Sequence, residues 1–329
     1  MIKLKIDNKV FDYFSTVNVS LKLNTIASTF TFSGFDRFFD ILSYQKCKVL
    51  FENETILTGV ALNPANSFKK EPTLLSVSGY SKTGILEDCT FPPSLYPLQF
   101  DGLSLKDIAL KVTNYFGLTL KVFDNAEDLA SIPYEKVTAN VDETIKSFLS
   151  RLCTQRGLIL THDNLGRLLI YKIEAKIAPF SNLLISDALE ASFTPNAQGL
   201  HSHVTVVRQA KKDNDNSQQV TKKSPFISGI NRPLVKMLQD GEEIEEAANR
   251  IICAEARSFG LKLTFEGLAL YRAGFYITLD GPILKKRTKF IIESVDFTVD
   301  KSQERTTINI VLPCVYTGIL PSSNPFIQK

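Results

Sequence analysis

Apolar and polar positions alternate with a period near two over the first part of the chain: Ile2, Leu4, Ile6; then Val17, Val19, Leu21, Leu23; then Phe30 and Phe32; then Val49 and Phe51; then Leu75 and Val77. Such a period sends alternate side chains to one face of an extended strand, so residues 1–95 predict a half-buried antiparallel sheet or small barrel. One segment breaks the pattern. Gly34 to Gln45, GFDRFFDILSYQ, is too long and too apolar for a hairpin turn. Its rings Phe35, Phe38, Phe39 and Tyr44 need cover, either from the barrel or from a neighbouring subunit.

From about Pro97 to Ile173 the spacing becomes helical. Ser104 followed by Asp107 predicts a capped helix whose buried face is Leu105, Ile108, Ala109, Val112 and Phe116, stopped at Gly117. A second helix is expected from a cap at Asp142, with Ile145, Phe148, Leu149 and Leu152 as its stripe and Gly157 as its end. Leu158–Thr161 and Arg167–Tyr171 then read as a strand pair around the turn 162–166. After Ala178-Pro179 strands return at 189–194 and 200–209. The polar run 210–224, AKKDNDNSQQVTKKS, predicts a flexible loop. Asp240 is expected to cap a helix over 241–259 that carries acidic residues in its first turns and Arg257 in its last, the order a helix dipole favours. Strands at 261–265, 288–299 and 305–312 follow, and LPSSNPFIQK reads as a tail.

The pattern therefore predicts a β-rich α+β, multi-domain chain: β domain I at 1–95, an α/β insert at 96–178, and β domain II at 179–329. A length of 329 residues with 44% hydrophobic residues is ample for several cores. No repeat period suggests a solenoid or propeller.

Charge and cysteine usage exclude several classes. A formal net charge of +3 gives no overall field of the kind nucleic-acid binders show. The five cysteines, Cys47, Cys89, Cys153, Cys253 and Cys314, are scattered and odd in number, which predicts buried reduced thiols in a cytosolic setting. The alternating N-terminus is no secretory signal, and no apolar run is long enough to span a bilayer. The 23 phenylalanines, with no tryptophan, read as filling for β cores.

The local motifs that mimic reactive sites each lack a residue the chemistry requires. Leu74 to Thr90, LLSVSGYSKTGILEDCT, mimics a phosphate loop, yet Lys82 precedes Gly84 with Thr83 between them, and Ile85-Leu86 reads as strand. As a nucleophile elbow it has Gly79 before Ser81 but Thr83 after it. His201 and His203 share a strand face without further ligands, so no metal is expected. His162 reads as a solvated turn residue. Glu87-Asp88 would point to opposite faces, and the acidic run 242–246 reads as a solvated helix face. No catalytic residue and no cofactor are predicted. Among the basic clusters, Lys211-Lys212, Lys222-Lys223 and Lys285-Lys286-Arg287 read as exposed loops able to meet phosphates.

Four segments in order resemble the Mu-type baseplate hub proteins of contractile-tailed phages: Ile26–Phe30 with Cys47–Gly59, the Ser78–Cys89 turn, Glu143–Tyr171 with its Arg156-Gly157-Leu158-Ile159 and hairpin, and Asn231–Val235 with the acidic helix and Phe290–Pro313. The resemblance implies two tube-like antiparallel β-barrel domains flanking the insert, and a non-enzymatic homotrimer whose pseudo-sixfold ring adapts the hexameric tail tube to the trimeric central spike. It implies a bore for transient DNA passage, other baseplate proteins as partners, no stable membrane insertion, and a place in the virion tail baseplate after synthesis and assembly in host cytoplasm. Phe35, Arg37, Phe38 and Phe39 are then expected at a subunit interface, and Lys285, Lys286 and Arg287 facing the lumen. A rival reading rests on Asp101–Leu105 with Ile108-Ala109, which resembles the opening of LysM peptidoglycan-binding modules and would make residues 96–175 a cell-wall-binding part.

Overall fold

The computed structural model describes residues 1–35, 41–67, 74–208, 218–238 and 242–327. The first β region supplies β1 (Ile2–Ile6), β2 (Lys9–Phe11), β3 (Thr16–Lys22), β4 (Thr29–Phe35), β5 (Lys46–Phe51), β6 (Glu54–Ser67) and β7 (Leu74–Ser81). The insert supplies α1 (Ile85–Asp88), α2 (Leu105–Tyr115), β8 (Leu120–Val122), α3 (Asp124–Ser131), α4 (Ile145–Gln155), β9 (Ile159–His162) and β10 (Leu168–Tyr171). The rest of the chain forms β11 (Ser181–Leu184), β12 (Glu190–Phe193), β13 (His203–Arg208), β14 (Gln218–Lys223), β15 (Pro233–Met237), α5 (Ile244–Glu255), β16 (Leu261–Glu266), β17 (Tyr276–Asp280), β18 (Thr288–Val299), β19 (Glu304–Val311) and α6 (Cys314–Thr317).

The expected β-rich α+β class is the one found, but its β parts are fused. Thirteen strands make one sheet with the order β12-β16-β19-β18-β3-β4-β7-β6-β5-β1-β2, and β17 and β11 branch from β18. The join is antiparallel pairing of β3 with β18, from Val17 opposite Val299 to Lys22 opposite Ser294. Among the described residues neither end of the sheet closes on itself, so the two separate barrels expected from the resemblance appear as one open sheet. The reason is visible in the side chains. Val19, Phe30, Phe32 and Val49 from the N-terminal strands share a buried core with Val295, Phe297, Ile308 and Ile310, and the rings of Phe51 and Phe297 lie 5.6 Å apart. Splitting the sheet would expose that common apolar face.

The insert has its own core, in which the rings of Phe91, Phe100 and Phe148 meet one another. The Ser104 cap is as expected: its hydroxyl accepts from the Asp107 N–H, and the Asp107 carboxylate accepts in return from the Ser104 N–H. The second helix is capped by Thr144, not Asp142; the Thr144 hydroxyl accepts from the Ser147 N–H at 3.2 Å. Gly117 and Gly157, just past the two helices, take φ of +61° and +62°, where a Cβ would be strained. Ile85-Leu86, expected as strand, begins the short helix α1.

In the C-terminal region β14-β13-β15 form a small sheet backed by α5. Residues 218–223 of the expected flexible loop are therefore strand, while 210–217 and Asp240 lie outside the described residues. Glu243 occupies the start of α5 without a side-chain cap bond. The expected tail is docked. Phe326 is buried, stacked between Phe193 at 4.7 Å and Phe259 at 5.4 Å, and Ile327 N–H donates to Ile283 O.

Candidate assembly surface

Paired residues across a sheet point to the same side, so register alone assigns the faces. One continuous row runs Lys46, Val60, Tyr80, Thr29, Ser20, Asp296, Thr307, Thr264 and Glu190, crossing from β5 to β12. A second runs Asn63, Ser78, Thr31, Asn18, Thr298, Arg305 and Glu266. The opposite face is the apolar core. The sheet is thus strongly one-sided: hydroxyls, amides and charges cover one face across many strands, with β2 and β12 as the free edges at its two ends and β11 as the free edge of the branch. Glu190, Ala191 and Ser192 of β12 are all exposed, as are Lys9 and Val10 of β2.

The Ser78–Cys89 turn works as a structural clamp. The buried hydroxyls of Ser81 and Thr83 both donate to the carbonyl of Ile26, at 2.7 and 2.6 Å. They fix the β3–β4 turn so that Ile26 is buried in the core of the insert. Asp88 accepts from the Tyr80 hydroxyl at 2.9 Å, and Glu87 pairs with Lys146 at 3.0 Å.

The hairpin between β9 and β10 docks on the same corner. Thr58 Oγ1 donates to Asn164 O at 2.7 Å, and Asn164 Nδ2 donates to Thr55 O at 2.9 Å. His162, expected in solvent, lies in this seam. Its Nδ1 is 3.0 Å from the Asp163 carbonyl and its Nε2 is 2.7 Å from Ser28 Oγ. A carbonyl only accepts, so Nδ1 carries the proton and Nε2 of the neutral ring accepts from the Ser28 hydroxyl. Burial holds the His162 pKa below its ordinary value.

His201 and His203 do not converge on a common point. His201 Nδ1 donates to Glu255 Oε1 at 2.7 Å, whereas His203 Nδ1 is 2.9 Å from Ser202 Oγ. Among the described residues no three metal-ligating side chains gather. The five cysteines are free thiols, four of them buried; burial pushes the Cys47 thiol up to about 12. No helix among the described residues is long and apolar enough to cross a membrane.

Of the residues expected at an interface, Arg37, Phe38 and Phe39 lie outside the described residues, and the backbone of Phe35 ends β4 opposite Leu74. Lys285, Lys286 and Arg287 are exposed. The Lys285 ammonium donates to Asn324 O at 2.9 Å, and Arg287 stands 3.9 Å from Asp280.

Residues 83–172 match a family model described as baseplate hub protein gp44-like, second domain. The insert is similar to a baseplate hub domain. The resemblance to hub proteins read from the sequence is borne out on this segment. No curated protein matches the chain by sequence. Among solved structures, the 43 kDa tail protein of prophage MuSo2 from Shewanella oneidensis superposes with a TM-score of 0.82 at 22% identity, over 96% of this chain and 99% of that one. A tail protein from Neisseria meningitidis MC58 gives 0.81 at 17% identity, over 96% and 98%. An Escherichia coli component of the type VI secretion system, described as structurally similar to the T4 tail proteins gp27 and gp5, gives 0.60 at 15% identity, over 98% and 80%. These likenesses establish the fold over nearly the whole chain. Together with the hub-domain match they support a structural role in a tail baseplate.

Proposed function

We propose that this chain is a baseplate hub subunit that works as a homotrimeric ring, coupling a hexameric tail tube to a trimeric central spike and leaving a bore for DNA. The observation that carries the reading is the open, one-sided sheet. A free edge presents unpaired N–H and C=O groups that favour pairing with another strand. Here two such edges, β2 and β12, lie at opposite ends of one sheet, so copies joined edge to edge by a rotation close into a ring. In that ring the polar rows face the passage while the apolar face stays on each subunit's own core.

The likeness to a secretion-system component described beside gp27 and gp5 supports a spike-like partner. Tail tube and other baseplate proteins are the further partners, and the site of action is the virion tail, after synthesis in the host cytoplasm. The role is mechanical: the buried hydroxyls and histidines described above have internal partners, so the subunit works by holding its neighbours. Phe35, Arg37, Phe38 and Phe39 are assigned to the subunit boundary, and Lys285, Lys286 and Arg287 to the neighbourhood of the bore. Residues 96–175, the stretch that resembles a LysM opening, fall almost wholly within the match to a hub domain, which favours the hub reading over wall binding.

Light scattering on the full chain, alone and with its spike protein, combined with low-resolution imaging, tests the proposal. A three-fold ring is expected. A monomer under both conditions overturns it, and retention of the full chain on peptidoglycan would move the assignment to the cell wall.

A further inference from the structure

Four lysines share one corner of the polar sheet face. In β1 Lys3 and Lys5 alternate with the buried Ile2, Leu4 and Ile6, and in β5 Lys46 and Lys48 alternate with the buried Cys47 and Val49. The β1–β5 register sets Lys5 directly opposite Lys48 and Lys3 opposite Leu50. On the far side of β5, Lys46 faces Val60 and Lys48 faces Thr58, and on the far side of β1 Lys5 faces Val10, so no carboxylate occupies these paired positions. Of the neighbouring acids, Asp7 accepts from Gln45 and Glu54 pairs with Arg272. Among the described residues no ion pair involves Lys3, Lys5, Lys46 or Lys48.

Like charges set directly opposite on neighbouring strands destabilise a sheet. The strand repeat and strand spacing place these four ammonium-bearing positions within roughly 7 Å of their nearest neighbours. Folding alone gains nothing from this arrangement, whereas a polyanion laid across it does. From the corner the face continues into neutral hydrogen-bonding groups, Ser78, Thr31 and Asn18 in one row. It reaches carboxylates at Asp296 and Glu190 only toward the opposite end. Cations followed by hydroxyls and amides suit phosphodiester oxygens. Apolar and aromatic residues among these positions are Val10 opposite Lys5, Leu50 opposite Lys3, and Val60 with Tyr80 beside Lys46, so a membrane surface, which needs such residues between its cations, is made an outcome of the test.

We propose that Lys3, Lys5, Lys46 and Lys48 form a sequence-independent contact for the phosphate backbone of nucleic acid. The contact rests on the reading that this face looks onto the passage, but it is measured separately from ring formation.

The test is anisotropy of a labelled random duplex titrated with the full chain at several salt concentrations. Four phosphate contacts give a log–log salt slope near −4, a loss of roughly 100-fold in affinity between about 50 and about 200 mM salt. Lys5→Gln with Lys48→Gln should halve that slope, to a loss of about tenfold. Lys111→Gln with Lys136→Gln, on the insert, should leave it unchanged. Absence of binding, an unchanged slope in the first double variant, or binding to phosphatidylserine vesicles but not to duplex would each overturn the contact. A DNA-binding monomer would preserve the contact and refute the ring; a ring indifferent to DNA would do the reverse.

Discussion

His162 Nε2 stands 2.7 Å from Ser28 Oγ, joining the hairpin of the insert to the turn that links β3 and β4. Because burial depresses the pKa of this imidazole, the folded state favours the neutral ring. The unfolded chain, with an ordinary histidine pKa near 6.5, then binds more protons below that pH, and stability falls as pH drops through it. Asp163, itself bound to Arg167, raises the folded-state pKa but only partly offsets the effect of burial. Melting curves of the full chain between about pH 7 and pH 5 should show a downward slope in Tm. In His162→Gln that slope should be reduced; an equal slope in both would show that other groups dominate.

Ile26 enters the insert core from the sheet, fully buried, with its carbonyl held by Ser81 and Thr83. Ile26→Ala should cost about 2–5 kcal/mol, the range for deleting a large buried aliphatic side chain. Hydrogen exchange should locate the loss in residues 83–172, with the amides of β3 and β18 keeping their protection. Uniform loss across both would mean that the insert and the sheet unfold as one unit.

Phe326 sits between Phe193 and Phe259 and near Phe290. Phe326→Ala should lower unfolding free energy by about 3–5 kcal/mol in urea titrations. A loss below about 1 kcal/mol would mean that the segment is held by its backbone bonds instead.

Lys48→Glu should place an opposite charge across from Lys5. A gain of a few tenths of a kcal/mol is expected at low salt, fading as salt is raised, since both side chains remain partly in water. Thermal melts at low and high ionic strength read it directly. A gain here would show that the natural lysine is kept at a cost to stability.

What could be read from the chain depended on how local each signal is. The alternation at Ile2, Leu4, Ile6 and the Ser104–Asp107 box are short-range, and both appear where expected. Asp142 and Thr144 are both capping residue types two positions apart, and only the reach of the Thr144 hydroxyl to the Ser147 N–H separates them. The helix α3 carries no apolar stripe in the sequence, because its buried residues are Ala126 and Ala130. Phe326 is a lone ring among Pro, Ser and Asn, so nothing nearby predicts that Phe193 and Phe259 await it. The four-lysine corner is invisible as a charge run. It consists of two Lys-x-Lys pairs far apart in sequence, brought together by the β1–β5 register. The fusion of the two β regions is likewise a long-range pairing that neither strand signals alone.

That pairing also governs when the large sheet can form. β3 has β18 as its lateral neighbour, and β18 emerges from the ribosome only after the insert and most of the later strands. Until then the early strands have an unsatisfied side and a bare apolar surface, a state prone to misassociation. High contact order of this kind slows folding and ties it to the synthesis of β18. Nascent chains that stop short of β18 would therefore lack the finished sheet.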